Sequence, residues 1–224
     1  MGGRADIHTF VFADLAGYTA LTEAHGDEHA ADAAAEFCDA VRMLLPEHDA
    51  EEVKAIGDAI LLRARDAARA AGLAERIVSS YGARHRGLGV CVGIHTGTAV
   101  RRGNDWFGSA VNVASRVAEA ARAGEVLCTE ATRAAIGPAV PVRERGRRKF
   151  KNLPKSVALY ELVPRRRSRT ELRIDPVCLM TIDPGRAAAR RVRGDVEYLF
   201  CSDRCALAFD ADPAEYAGRT ENQA

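Results

Sequence analysis

The sequence predicts an α+β fold, a sheet with helices packed on one of its faces, followed by a small cysteine-bearing tail. Three observations carry this expectation. Over the first 163 residues, apolar runs and amphipathic stretches alternate as strand, helix, hairpin, helix, strand, helix, strand. A basic segment of linker composition, PRRRSRTELR at 164–173, then interrupts the pattern. Beyond it, three of the six cysteines crowd into the remaining chain. At roughly 150 residues per domain, 224 residues allow one full domain and a small second one. The expected division is 1–163, a basic linker at 164–174, and a tail domain at 175–217.

Taken in order, HTFVFADL (8–15) reads as a strand ending at Asp14, and Gly17 with Thr19 and Thr22 reads as a helix start. A long Ala-rich helix follows, with Phe37, Val41, Leu44 and Leu45 at helical spacing and a stop near Pro46. EEVKAIGDAILLRA reads as two strands around a Gly57-Asp58 turn. A helix over 66–80, a strand in LGVCVGIHTGTAV, a helix in GSAVNVASRVAEAARA and a strand in EVLCT come next. Two final strands are expected, one around Lys151 and one around Leu159-Tyr160.

Charge is unevenly spread. The total of 32 Lys+Arg against 31 Asp+Glu is nearly neutral, yet residues 1–142 hold 14 basic and 19 acidic groups, 143–169 hold 11 and 2, and 170–224 hold 7 and 10. With 47% hydrophobic and 28% charged residues in periodic patterns, a disordered chain is excluded. No run of about 18 apolar residues is present, so no membrane span is expected. The start has no cationic segment leading into an apolar one, so a cytoplasmic location is expected. Cys38, Cys91 and Cys128 lie in apolar periodic segments and read as small buried hydrophobes in a reducing compartment. The cluster Arg165-Arg166-Arg167-Ser168-Arg169 lacks aromatic interleaving and reads as a solvated linker, not a nucleic-acid site.

Asp14 and Asp58 stand at the ends of neighbouring predicted strands, each close to a glycine. Singly, one reads as a helix-start residue and the other as a turn residue. Together they suit a hard cation such as Mg²⁺, which takes one or two carboxylates and leaves other positions to water and phosphate. In GSAVNVASRVAEA, Asn112, Arg116 and Glu119 fall on one helix face and Ala110, Ala114 and Val117 on another. An Arg fork there fits phosphoryl oxygens.

FADLAGYT, KAIGDAIL, VGIHTG and NDWFGSAVNVASRV, in that order, resemble the catalytic domain of class III adenylyl/guanylyl cyclases over residues 8–163. The resemblance implies a ferredoxin-like βαββαβ core with an antiparallel-rich sheet, and a homodimer with active sites at the interface. It implies two Mg²⁺ or Mn²⁺ held by Asp14, Asp58 and the Leu15 carbonyl. Asn112 would orient the ribose and Arg116 would stabilise charge at the α-phosphate. Backbone N–H groups of Gly17, Tyr18 and Thr19 and the side chain of Lys151 would meet the phosphates. Lys54 and Asp105 stand at the base-reading positions. Lys54 can only donate and ionised Asp105 only accept, which fits adenine N1 and N6 and not guanine. ATP is therefore the expected substrate, converted to 3′,5′-cyclic AMP and pyrophosphate. The rival readings are a guanylate cyclase and a nucleotide- and metal-binding regulator without turnover. His95 is a candidate for the base that accepts the 3′-proton, with simple packing in the central strand as the alternative. Asn152 departs from the family pattern, standing where Gly is usual, and Tyr18 replaces Phe or Ser.

The tail, from DPVCLM through FCSDRC to DPAEY, resembles a YHS domain, a small module associated with metal binding. Cys201 and Cys205 share a helix face, and Cys178 could fold against them to bind Zn²⁺ or Cu⁺. Reduced, packed thiols are the alternative. No histidine follows His95, so Met180, Asp175, Asp203 or water stand open as a fourth ligand. A metal sensor that adjusts the first domain's output is the hypothesis this suggests.

Overall fold

The computed structural model describes residues 6–84, 88–163, 173–182 and 184–217. The arginine cluster at 165–169, and with it most of the expected linker, lies outside these residues. At the centre is a seven-stranded sheet. Its strands are β1 (Ile7–Leu15), β2 (Ala50–Ile56), β3 (Ala59–Ala64), β4 (Val90–Thr98), β7 (Val126–Thr129), β8 (Val142–Arg148) and β9 (Val157–Leu162). The order across the sheet is β2-β3-β1-β4-β7-β9-β8. Every pairing is antiparallel except β4 with β7. The expected α+β class and antiparallel-rich sheet are what the chain forms.

The helices do not keep to one face, as the sequence led us to expect. Alternate residues of a strand point to opposite faces, and β1 is buried on both. Val11, Ala13 and Leu15 join a core with Leu21 of α1 (Tyr18–His25), Phe37 and Val41 of α2 (Asp27–Arg42), and Leu73 and Ile77 of α3 (Ala67–Arg84). Phe10, on the other face, packs with Ala110 and Ala114 of α4 (Ser109–Ala118) and with Trp106. Helix α4 lies so close to β4 that a Cβ on Gly93 would collide with the backbone of Ala114 and Ala118. Glycine in VGIHTG is thus a packing requirement that sets the height of α4 over the sheet.

Four further differences have local causes. The Ala-rich stretch is two helices, broken at Gly26, whose φ of 89° no L-residue adopts comfortably. A short hairpin, β5 (Val100–Arg102) with β6 (Asp105–Phe107), precedes α4. A seven-residue helix, α5 (Glu130–Ile136), follows β7 and is capped by the Thr129 hydroxyl, which accepts from Thr132 N–H. The strand expected around Lys151 runs earlier, over Val142–Arg148, and leaves Lys151 in the following turn. There Asn152 takes φ 66°, a left-handed conformation that Asn tolerates better than most side chains. The substitution of Asn for the usual Gly therefore preserves a glycine-type backbone.

The tail consists of two small two-stranded sheets, β10 (Arg173–Ile174) with β11 (Thr181–Ile182) and β12 (Ala189–Arg193) with β13 (Val196–Phe200), followed by α6 (Asp203–Ala211) and α7 (Pro213–Ala217). Its core of Phe200, Phe209, Met180 and Val177 is continuous with the α1 to α3 core of the first domain. Asp175, fully buried, ties the tail loop together by accepting from the backbone N–H of Val177 at 2.9 Å and of Cys201 at 2.8 Å. No helix among the described residues is long and apolar enough to cross a membrane.

Candidate active site and tail cysteine cluster

Asp14 is the penultimate residue of β1, on the face that carries α4, and Asp58 sits in the turn between β2 and β3. The two are joined through the backbone, Leu15 N–H donating to the Asp58 carbonyl at 3.3 Å. Both carboxyls are partly buried. Burial, the neighbouring Asp58 charge and Glu119 push Asp14 up to about 6, and burial raises Asp58 as well. Two carboxylates that resist ionisation side by side favour a cation between them. The Leu15 side chain is buried, so only its backbone can serve a ligand.

Helix α4 presents Asn112 and Glu119 exposed and Arg116 half-exposed, while Ala110, Ala114 and Val117 anchor it to the sheet. Arg116 Nη1 donates to both carboxylate oxygens of Glu119, at 2.5 and 2.7 Å. The polar stripe expected from the sequence is present, with Arg116 held in an intrahelical ion pair.

Lys54 on β2 and Asp105 on β6 are 51 residues apart in sequence and meet directly, Lys54 Nζ donating to Asp105 Oδ2 at 2.7 Å. Asp105 Oδ1 accepts from Trp106 N–H at 2.7 Å. These two bonds hold the Asp105 carboxyl below its usual range. Phe107, 53% exposed, lies under the Lys54 ammonium with its ring centroid 6.0 Å away. The pair adjoins a network built on the buried Arg63. Arg63 donates to His8 Nδ1 at 3.2 Å, pairs with Glu51 at 2.9 Å and stacks on Trp106, 4.9 Å to the centroid. Sequence reasoning did not find this network, because its members are distributed over β1, β2, β3 and β6.

Gly17 takes φ 81° and caps α1, with Tyr18 half-buried and Thr19 exposed beyond it. Lys151 is exposed. His95 is accounted for structurally: its Nδ1 lies 2.8 Å from Thr129 Oγ1, and burial holds its imidazole down at about 4. It is a neutral histidine in the central strand, as the alternative reading had it.

In the tail, Cys178, Cys201 and Cys205 converge. Cys178 Sγ lies 3.5 Å and Cys205 Sγ 3.7 Å from Cys201 Sγ. The fourth member comes from the first domain. His25, the last residue of α1, places Nε2 at 3.4 Å from Cys205 Sγ and 3.7 Å from Cys201 Sγ. Asp175 and Asp203, two of the fourth ligands left open by the sequence, lie outside this cluster, whose four ligand atoms are all within 4.8 Å of one another. Hydrogen bonds from the Cys178 and Cys201 thiols hold Cys205 low, while the shared bonds raise Cys178. The only signal that could have found His25 was its place at a helix end in EAHGDEHA, and nothing local connects that to a cysteine more than 150 residues away.

Residues 3–163 match the family described as adenylate and guanylate cyclase catalytic domain, and residues 173–220 match the YHS domain. The chain belongs to the adenylate and guanylate cyclase family. A pH-sensitive adenylate cyclase of Mycobacterium tuberculosis is 37% identical over 131 residues, which are 58% of this chain and 33% of that protein. The first curated relatives are matched over only 33% to 42% of their own length. The crystal structure of the adenylyl cyclase CyaB from P. aeruginosa superposes with a TM-score of 0.65 at 23% identity, covering 75% of this chain and 98% of that one. The guanylate cyclase domain of RhGC from Catenaria anguillulae, in complex with GTP, superposes equally well, with a TM-score of 0.64 at 19% identity over 72% and 98%. The cyclase fold is therefore common to both, and base preference has to be argued from side chains.

Proposed function

We propose that the chain is an adenylate cyclase that converts ATP to 3′,5′-cyclic AMP and pyrophosphate as a homodimer. In this reading the cyclase domain (1–163) and the YHS domain (175–217) are joined by a basic linker. The observation that carries the substrate assignment is the Lys54–Asp105 pair, a donor and an acceptor 2.7 Å apart at the base-reading positions. Lys54 donates to adenine N1 and Asp105 accepts from N6; with guanine both contacts oppose like with like.

Asp14, Asp58 and the Leu15 carbonyl would hold two Mg²⁺ or Mn²⁺ ions, which would supply activation of the attacking oxygen and neutralisation of the triphosphate charge. The raised proton affinities of the two carboxyls support this role. Asn112 orients the ribose so that its 3′-oxygen faces the α-phosphorus, and the Arg116 fork, freed from Glu119, bonds the phosphoryl oxygens as charge develops. Backbone N–H groups at Gly17, Tyr18 and Thr19, with Lys151, bind the leaving phosphates. His95, partly buried and engaged with Thr129, is not the group that takes the 3′-proton.

A dimer is supported by apolar side chains that the single chain leaves in water. Phe107, 53% exposed, lies against Lys54, Val100 at 43% pairs with Phe107 across the hairpin, and Ile56 at 47% is two residues along β2 from Lys54, exposed apolar side chains that suit a subunit interface. Both halves of the residue set are present in one chain, so two equivalent sites per dimer are expected. The YHS tail adjusts the rate in response to a thiophilic metal ion.

The test is cyclic nucleotide formation from Mn-ATP and from Mn-GTP by the purified protein and by Asp58→Ala. Cyclic AMP from the wild type and none from the variant is the expected result. No cyclic nucleotide from the wild type, or equal amounts from both proteins, refutes a cyclase. More product from GTP than from ATP refutes the base assignment.

A further inference from the structure

The tail's thiols and His25 of the cyclase domain lie close enough together to surround one ion, all four ligand atoms being within 4.8 Å of one another. An ion about 2.3 Å from sulfur and about 2.0 Å from nitrogen, at the tetrahedral angle, places sulfurs about 3.8 Å apart and sulfur and nitrogen about 3.5 Å apart. The distances are 3.5 and 3.7 Å between sulfurs and 3.4 and 3.7 Å from sulfur to His25 Nε2. Three thiolates and one imidazole, with Cys178 and Cys205 buried, form a closed set of the kind that holds a structural Zn²⁺. Four ligands in this arrangement suit Zn²⁺ better than Cu⁺, which needs fewer.

What distinguishes the site is where its ligands come from. The three cysteines belong to the tail, but His25 is the C-terminal residue of α1, whose N-terminus is the Gly17 turn. The tail touches that end as well. Leu179, the neighbour of Cys178, has its Cβ 2.8 Å from the point where a side chain on Gly17 would begin, and the Cys178 carbonyl oxygen is 3.5 Å from it. Leu179 itself takes φ 60°, an uncommon conformation for a side chain of its size, held by its N–H bond to the Asp175 carbonyl at 2.9 Å. The eight-residue helix is thus met by the tail at both ends, by Cys178 and Leu179 at Gly17 and by Cys201 and Cys205 at His25.

We infer that Cys178, Cys201, Cys205 and His25 form one Zn²⁺ site bridging the two domains, and that filling it clamps α1 and the Gly17 turn against the tail. This rests on the reading of the tail as metal-binding and adds to it the partner that ties the metal to the catalytic domain. With metal bound, α1 cannot leave the tail without losing a ligand. Without it, the contact rests on apolar packing and the weak thiol–imidazole hydrogen bonds of His25.

Co²⁺ titration of the reduced full-length protein tests this through absorption bands that report thiolate number and tetrahedral geometry, independently of cyclase rate. One Co²⁺ per chain with a tetrahedral three-thiolate spectrum is expected. His25→Ala should weaken binding at least about tenfold, the scale on which even outer-shell partners of metal ligands act. His25→Cys should restore affinity with a stronger thiolate charge-transfer band, which separates a lost ligand from a misfolded helix. Hydrogen exchange at the amides of 19–25 should slow on Co²⁺ addition in the wild type and not in His25→Ala. No Co²⁺ binding by the wild type overturns both the metal-binding tail and the bridge. Wild-type spectrum and affinity in His25→Ala overturn the bridge alone and leave the tail a metal binder.

Discussion

Lys54 and Asp105 form a 2.7 Å ion pair across strands β2 and β6, with side chains 41% and 31% exposed. Neither strand could hold its residue there alone. Asp105 is pinned by its bond to Trp106 N–H, and Trp106 rests on the buried Arg63. The pair is therefore positioned before any base arrives, and its exposure to solvent makes it easy to open. Exchanging the hydrogen-bond pattern, with Lys54→Glu and Asp105→Cys combined, should reverse the preference from ATP to GTP. Each group mispaired beneath a bound base costs about 1–3 kcal/mol, so kcat/KM for ATP should fall about 10- to 100-fold per position. Parallel kinetics with the two nucleotides provide the measurement, and an unchanged ATP:GTP ratio would contradict the base-reading role.

Arg116 is engaged by Glu119 at 2.5 and 2.7 Å. A group that turns to the α-phosphate only as charge develops should matter more for the rate than for binding. Arg116→Ala should lower kcat about 100- to 1,000-fold, the scale seen when one preorganised donor is removed, with little change in KM. A raised KM at constant kcat would make Arg116 a ground-state binding residue instead.

Gly17 is constrained twice, by φ 81° and by Leu179 occupying the space of a Cβ. Gly17→Ala should destabilise the protein by about 1–2 kcal/mol from the left-handed backbone alone, with a further loss from displacement of the tail. Leu179→Gly removes the Cβ that a Gly17 side chain would meet, so adding Gly17→Ala to Leu179→Gly should cost only the first part. Denaturant midpoints of the single and double variants separate the two, and additive effects would show that the contact carries no energy.

His95 should make the fold acid-sensitive. Burial holds it neutral down to about 4, whereas in the unfolded chain it takes a proton near 6.5. The unfolded state therefore binds more protons between those values, and stability falls as pH drops through that window. Above about 6.5 the contribution is fully present. After allowance for partial exposure the effect is on the order of 2 kcal/mol. His95→Gln should flatten stability against pH between 6.5 and 4 in urea titrations; an unchanged slope would place the acid sensitivity elsewhere.

Much of the fold was legible because it depends on local pattern. β1, the β2–β3 hairpin and α4 each carry periodicity that a strand or helix must have in order to bury one side. Where the chain departed from expectation, the deciding force was not local. HTFVFADL does not say that both of its faces are covered, and so the placement of α4 opposite α1 to α3 had to come from packing against Phe10 and Gly93. α5 is too short for its periodicity to be read, and it rests on Thr132 bonding to the Ile94 carbonyl of β4.

The chemistry divides along the same line. The sequence alone determined which residue types were available: paired carboxylates at strand ends, an Asn/Arg helix face, and three tail cysteines with no histidine near them. These follow from short-range spacing, which a single chain states directly. Only the tertiary structure decided which of them meet. Lys54 finds Asp105 because the β5–β6 hairpin is folded against β2, and His25 finds the tail cysteines because an apolar seam of Phe200, Phe209 and Val177 docks the tail on the first domain's core. Burial of apolar surface has no sequence register. It brings distant residues together without leaving any mark in the spacing between them.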